Sequence, residues 1–267
     1  FSPDGTRLVI TTGSDPQIID VQTGKPVTLF PRSETIPFVA AFTPDQRHLT
    51  IGYSDTGIHT WNLLAGTRTA RHDVGLLTPL HRLSMSRKGR LVYAGQFEGK
   101  LRILDQHTGE VIVIPTPPAN GGISNLAFLR SGKDVIVGFY EGHVEQWSLE
   151  TKQKVRDFEK APDSVIFLAL SQDGRRMLGG TTDAHVSLVW SVESGQIVQR
   201  LQGKVWGQCG AITADGSRVF TRPEDCLIEM SSVSKNKTIQ TYPNKKQANY
   251  AHKEAITCVA LSPDGKQ

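Results

Sequence analysis

The stretch FSPDG at Phe1–Gly5 returns near the other end of the chain as LSPDG at Leu261–Gly265. Each copy places an apolar residue before a string that favours a tight turn. Proline presets φ, aspartate can bond its own backbone, and glycine accepts a positive φ. A turn motif that follows an apolar residue is typical of the connection between two β-strands.

The same phrase recurs between these two copies at a regular interval. Measured at the last turn position (5, 46, 89, 132, 174, 216 and 265), the steps are 41, 43, 43, 42, 42 and 49 residues. The intermediate copies are FTPDQ, MSRKG, FLRSGK, LSQDG and ITADG. A period in this range indicates a repeat protein whose unit is one supersecondary element, with an insertion before the seventh copy.

Two further turns lie inside each period. A polar second turn, such as SDTG at Ser54–Gly57 or YEGH at Tyr140–His143, precedes a short apolar run, and a third turn follows that run. The runs end in an apolar–polar pair, which we read as ID, WN, LD, WS, WS and, in the sixth repeat, Met230–Ser231. Three turns and four short runs predict a four-stranded antiparallel meander in each repeat.

This combination of period, strand number and tryptophan-containing pair resembles the WD-repeat β-propeller family. The pattern departs from the family's in that the tryptophan stands only at Trp61, Trp147 and Trp190. The resemblance covers residues 1–267 and predicts a single all-β propeller domain with about six repeats and the first strand of a seventh. We expect a piece of a seven-bladed or longer propeller, truncated at both ends.

A different closure of the fold is also conceivable. The first strand of the seventh repeat could complete the opening repeat and close a six-bladed ring, which would bring His252 near Asp15. We disfavour it because two SPDG turns would then meet at one site, and we expect no hydrogen bond between these two residues. In the family, a histidine before the first strand bonds an aspartate in the second turn, a position that Asp55 and Asp183 match here.

The chemistry-bearing residues do not suggest an enzyme. The chain has no G-x-S-x-G elbow, phosphate loop, dinucleotide glycine fingerprint or H-E-x-x-H motif. His143 and His185 share a repeat position and could approach each other, but we expect exposed histidines rather than a metal site. Cys209 and Cys258 also share a position, where core thiols are expected. We therefore predict no catalysis, no metal and no cofactor.

The resemblance implies that a protein or peptide docks on the face that carries the second turns and the loops before the first strands. By repeat position, large aromatic residues stand there at Trp206, Phe97 and Tyr140. Exposed aromatic residues are frequent binding anchors, although each of these could instead pack against a neighbouring blade. We predict a protein-binding scaffold with these three residues as its contacts.

Two alternative functions remain open. One is a propeller enzyme or small-ligand binder that uses polar residues around a central channel. The other is binding of an acidic surface or nucleic acid through the lysine-rich insertion at residues 235–253, which carries five lysines, Tyr242 and Tyr250. We expect the insertion to be a solvated loop and a nucleic-acid partner to be absent, because the net charge is only +4.

The number and spacing of the cysteines suggest the cellular compartment of the protein. Three cysteines without C-x-x-C spacing argue against a disulfide framework and favour a reducing environment, so we expect a cytoplasmic protein. The longest uninterrupted apolar run, Val165–Leu170, is far shorter than a membrane span, and we expect no membrane association. Modules fused to this chain are also expected from the family resemblance.

Overall fold

A computed structural model describes residues 1–12, 15–30, 35–55, 57–75, 80–86, 88–95, 99–106, 108–117, 121–202, 209–224, 227–242 and 259–262. All regular secondary structure in these ranges is β-structure, and none of it is a helix that could cross a membrane. The chain divides into two compact units, Phe1–Pro118 and Ala119–Gln267.

The first unit holds three antiparallel sheets, each with its strands in chain order. Blade 1 has three strands in the described residues: β1 (Arg7–Thr12), β2 (Asp15–Asp20) and β3 (Pro26–Leu29). Blade 2 comprises β4 (Pro37–Phe42), β5 (His48–Tyr53), β6 (Gly57–Asn62) and β7 (Thr67–Asp73). Blade 3 comprises β8 (Leu80–Met85), β9 (Leu91–Gly95), β10 (Lys100–Leu104) and β11 (Val111–Pro115).

The second unit also holds three sheets, and all of them have four strands. Blade 4 comprises β12 (Ile123–Phe128), β13 (Asp134–Phe139), β14 (Val144–Ser148) and β15 (Gln153–Asp157). Blade 5 comprises β16 (Val165–Leu170), β17 (Arg176–Thr181), β18 (Val186–Ser191) and β19 (Ile197–Gln202). Blade 6 comprises β20 (Gly210–Ile212), β21 (Arg218–Glu224), β22 (Leu227–Ser232) and β23 (Lys237–Tyr242). The prediction of an all-β propeller fold built from meander blades is confirmed.

The repeated phrase forms the turn between the first and second strands. In blade 5 the Ser171 hydroxyl donates to Asp173 Oδ1 (2.6 Å), the Arg175 amide donates to the same oxygen (2.9 Å), and Gly174 has a φ of 74°. The corresponding turns of blades 2 and 6, and the turn that precedes β1 in blade 1, contain the same hydroxyl–carboxylate–amide arrangement. The aspartate therefore accepts hydrogen bonds from groups of its own turn, as the sequence predicts.

In blades 2 to 5, burial is greatest in the second and third strands, and most residues of the fourth strands are exposed or half-buried. Five of the six sheets have a bulge where the outermost strand pairs with its neighbour. The extra residue in four of these bulges is a half-exposed β-branched aliphatic residue, Val27, Val155, Val198 or Ile239. A bulge disrupts the free edge of a sheet and so hinders pairing with another chain.

Candidate functional site

The segment before the first strand and the second turn of a blade lie together at one end of that blade, which we call the loop edge. In blade 2, the Ser54 amide donates to the Ile36 carbonyl oxygen (2.9 Å), and the Ile36 amide donates to Ser54 Oγ (3.1 Å). These two bonds join the two segments, so the loop edge of blade 2 is held by the backbone.

The backbone bond recurs in the second unit. Tyr140 N–H donates to the Gly122 carbonyl at 3.1 Å, and Thr182 N–H donates to the Ser164 carbonyl at 3.3 Å, with the same separation of 18 residues (140 − 122 and 182 − 164) as in blade 2. Ser164 Oγ also donates to the Tyr140 carbonyl and so connects the loop edges of blades 4 and 5. The repeat positions that the sequence assigns to one face therefore do meet in space.

Of the three predicted contact residues, one lies in the described part of the chain. Tyr140 lies at the loop edge of blade 4 and is half-buried. Phe97 and Trp206 lie outside the described residues. The role of all three as binding anchors stays a prediction.

The sequence missed an exposed apolar pair at the loop edge of blade 2. Ile36 is 52% exposed and Phe38 is 47% exposed. Phe38 is the extra residue of a bulge, because Pro37 pairs with Tyr53 and Val39 with Gly52, which leaves Phe38 without a cross-strand partner. The strand PFVAAF is apolar throughout, so alternation alone could not identify the residue that turns outward.

Buried titratable groups lie behind this edge. His59 is buried, its ring centroid is 4.5 Å from that of Tyr53, and its Nε2 is 3.9 Å from Asp55 Oδ2. Burial lowers the pKa of His59 and raises the pKa of Tyr53, which favours the neutral form of both groups. This arrangement supports the edge structurally, because Asp55 also accepts the Gly57 amide in the second turn (3.1 Å).

The other candidate residues are distributed as follows. Both His143 and His185 are half-buried, so the expectation that they are exposed is wrong. Within the described ranges, no three side chains of histidine, cysteine, aspartate or glutamate cluster closely enough to hold a metal ion. Cys209 is buried, as expected of a core residue. Cys258 and His252 lie outside the described residues, so the expected lack of a bond between His252 and Asp15 stays a prediction.

The lysine-rich insertion is not a loop throughout. Lys235 lies in the third turn of blade 6, and Lys237 begins the outermost strand β23, which ends at Tyr242. Both lysines are exposed. The expectation of a solvated loop is therefore wrong for Lys237–Tyr242, while residues 243–253 lie outside the described part.

Comparisons with known proteins point to one family. A guanine nucleotide-binding protein subunit beta from Zea mays is 22% identical over 209 residues, which cover 72% of this chain and 55% of that protein. The Arabidopsis thaliana periodic tryptophan protein 2 is 21% identical over 232 residues, covering 85% of this chain and 25% of that protein. WD repeat-containing protein 82 of Drosophila melanogaster is 35% identical over 74 residues, covering 26% and 23%.

These relatives are WD-repeat proteins, and the blades described above have the strand order and turns of that family. The resemblance to the WD-repeat β-propeller family that the sequence predicts is therefore confirmed. No protein-family model matches the sequence. The chain spans about half the length of the maize relative and a quarter of the Arabidopsis one.

Blade 5 departs from the histidine–aspartate bond that the WD-repeat resemblance implies. Here Asp163, in the loop before the first strand, accepts hydrogen bonds from backbone amides of the second turn. Its Oδ1 accepts the Thr182 amide (2.8 Å) and hydroxyl (3.0 Å), and its Oδ2 accepts the Ala184 amide (2.6 Å). Asp183, the residue expected to act from the turn, is exposed and contributes its amide to Asp163 Oδ1 at 3.3 Å. In blade 5 the carboxylate that joins the two segments therefore belongs to the loop before the first strand and not to the second turn.

Proposed function

We propose that this chain is a non-catalytic scaffold that binds a protein or peptide partner through its loop edges. The observation that carries the proposal is the pair Ile36 and Phe38, two large apolar residues about half exposed at the loop edge of blade 2. Apolar and aromatic side chains that can be desolvated by a partner supply most of the binding energy of protein interfaces.

The local backbone favours such a role. The segment containing Ile36 is tied to the second turn by two hydrogen bonds, so its side chains are presented from an ordered edge. A preorganised surface loses less conformational entropy on binding. WD-repeat relatives are typically protein-interaction scaffolds, and the names of the maize and potato relatives describe them as subunits of a larger protein.

A comparison of two opposite ends of blade 2 tests the proposal. The edge variant carries Ile36→Ser and Phe38→Ser, and the control variant carries Leu64→Ser. Leu64 is 99% exposed in the third turn, at the end of β6 away from the loop edge. Both variants remove exposed apolar surface, so both should fold.

The partners of the three proteins are compared by quantitative affinity purification and mass spectrometry. We expect the edge variant to lose specific partners at least tenfold while Leu64→Ser retains them. Trp206→Ala tests the sequence-predicted anchor in the same assay. Unchanged partner recovery by the edge variant, or equal loss in both variants, contradicts the proposal.

A further inference from the structure

A cavity of about 280 Å³ lies between blades 5 and 6, inside the unit Ala119–Gln267. Its described lining is mostly polar and includes Ser187, Arg200, Arg222, Glu229, Ser231 and Thr238. Facing sheets normally fill the space between them with apolar side chains, because burying polar groups costs free energy. A polar cavity at this position therefore needs an explanation.

The strand register shows which residue of blade 6 occupies the position that is tryptophan in blade 5. In blade 5, Trp190 on β18 pairs with Met177 on β17, and in blade 6, Ser231 on β22 pairs with Val219 on β21. The pair after each is Arg176 with Ser191 and Arg218 with Ser232. Ser231 thus occupies the tryptophan position of its blade. The sequence prediction, which matched Met230 to this tryptophan, is wrong by one residue.

Blade 5 shows how this position is filled elsewhere in the unit. Trp190 is fully buried in an apolar cluster that includes Val144 and Phe158 of blade 4. Its indole Nε1 donates to the Glu159 carbonyl oxygen at 2.9 Å. An indole therefore fills the space between blades 4 and 5, and the corresponding space between blades 5 and 6 is the cavity.

Blade 4 shows which group receives the indole N–H in a sequence like that of blade 6. Trp147 Nε1 donates to Oε2 of the buried Glu145, two residues earlier, at 2.7 Å. Glu229 stands two residues before Ser231 in the same way, lines the cavity, and accepts the Thr238 hydroxyl at 3.2 Å. Blade 6 thus has a glutamate, Glu229, at the position of the acceptor Glu145 in blade 4, but it has Ser231 in place of the tryptophan that would donate to it.

The wall of the cavity that blade 5 forms is also more polar than the matching surface of blade 4. Val144 pairs with Gly138 in blade 4, and Ser187 pairs with Gly180 at the matching position in blade 5. The apolar Val144 belongs to the same buried cluster as Trp190, whereas Ser187 lines the cavity. Hydroxyl groups and guanidinium groups around the space favour a ring that carries hydrogen-bonding atoms over a hydrocarbon ring.

We propose that this cavity binds a bicyclic nitrogen heteroaromatic ring, the class that includes indole and the purine bases. The space matches the position of an indole in the neighbouring blade, and Glu229 supplies the acceptor for a ring N–H. Arg200 and Arg222 also belong to the lining, and a guanidinium plane can stack on an aromatic face even where, as in Arg200, one nitrogen pairs with a carboxylate, here Glu159 at 3.1 Å. The cavity belongs to the unit Ala119–Gln267 and uses neither Ile36 nor Phe38, so this proposal does not depend on the proposed scaffold function.

Isothermal titration calorimetry on the purified chain tests this site with three probes: indole, adenine and benzofuran, which has the shape of indole without its N–H. We expect one site per chain, with indole or adenine binding at least tenfold more tightly than benzofuran, because a hydrogen bond to a charged acceptor corresponds to about that factor. Tighter binding of indole indicates a tryptophan side chain as the natural occupant, and tighter binding of adenine indicates a free purine. Absence of saturable binding by both contradicts the proposal.

Two substitutions taken from the other blades complete the test. Ser231→Trp fills the cavity with the residue that blade 5 has at this position and should abolish binding. Glu229→Leu introduces the residue that blade 5 has two positions before its tryptophan, Leu188, and should remove the preference for indole over benzofuran. Ser194→Trp, in an exposed turn of blade 5, is the control and should bind normally.

Each variant is checked for folding by circular dichroism. If Ser231→Trp does not fold, the loss of N–H preference in Glu229→Leu decides the question. Unchanged ring binding in folded Ser231→Trp overturns the proposal, as does an unchanged preference in Glu229→Leu.

Discussion

Replacing Asp163 with alanine removes the carboxylate that joins the loop before β16 to the second turn of blade 5. The carboxylate accepts hydrogen bonds from the Thr182 amide and hydroxyl and from the Ala184 amide, at 2.8, 3.0 and 2.6 Å. The Thr182 amide keeps a second acceptor, the Ser164 carbonyl at 3.3 Å, after the change. The Ala184 amide loses the acceptor that holds it at 2.6 Å, so the turn should open more easily.

The expected magnitude follows from these contacts. A hydrogen bond to a charged group contributes about 1.5–3 kcal/mol, and a half-buried site belongs at the lower end of this range. Counting the two short amide bonds, we expect Asp163→Ala to lower the local free energy of unfolding by about 3 kcal/mol. Asp163→Asn keeps one carbonyl oxygen but presents a donor to one of the amides, so we expect about half this loss.

Native-state hydrogen exchange measures the effect where it should occur. A loss of about 3 kcal/mol corresponds to roughly a hundredfold faster exchange at Thr182 and Ala184. Asp183→Ala is the matched control, since its side chain is exposed. We expect it to change exchange less than threefold. The reasoning fails if Asp163→Ala leaves the Ala184 amide equally protected, or if Asp183→Ala is the more damaging variant.

Three further outcomes are expected. Trp190→Ala should lower the free energy of unfolding by about 3–5 kcal/mol in urea denaturation, because it empties a fully buried site; a loss below about 1 kcal/mol would argue against its core role. Gly142→Ala, in the second turn of blade 4, should lower the free energy of unfolding by more than about 1 kcal/mol in the same assay, because Gly142 has a φ of +80° and a Cβ there would lie 2.7 Å from the Ala161 carbonyl oxygen; Gly66→Ala, with open space, should cost less. Hydrogen bonds from Thr213 and from the Ser217 amide lower the pKa of Asp215 to about 2, so its contribution is present above pH 3.8 and is lost as the pH falls toward 2. Asp215→Asn should therefore reduce stability at pH 7, by at most about 1 kcal/mol because the group is exposed, and should have less effect at pH 2.

Local chemistry explains why the blades could be predicted. Most hydrogen bonds of the Ser171–Gly174 turn join residues within five positions of one another, and only the Asp173 amide, which donates to the Ala214 carbonyl oxygen at 2.9 Å, makes a distant backbone bond among those described. The strands between such turns are short, and their apolar residues recur with the repeat. Periodicity and turn chemistry act over distances that the sequence displays directly.

The candidate sites depend on register, which the sequence displays poorly. Phe38 is exposed because of a bulge, and Ser231 takes the tryptophan position because β22 pairs one residue away from the alignment of apolar residues. A shift of one residue in a strand moves a side chain to the other face. Pattern matching therefore assigned the tryptophan position to Met230 and overlooked the cavity beside Ser231.

The sequence by itself determined the repeat, the turns, the all-β class and the family resemblance, because each rests on short-range patterns that recur along the chain. Only the tertiary structure decided that Asp163 rather than Asp183 supplies the locking carboxylate, and that Ser231 and Glu229 border the cavity between blades 5 and 6. Those outcomes depend on which side chains meet across two segments or two sheets. Cross-strand pairing and sheet packing bring together residues 20 or more positions apart, such as Asp163 with Ala184 and Ser187 with Ser231.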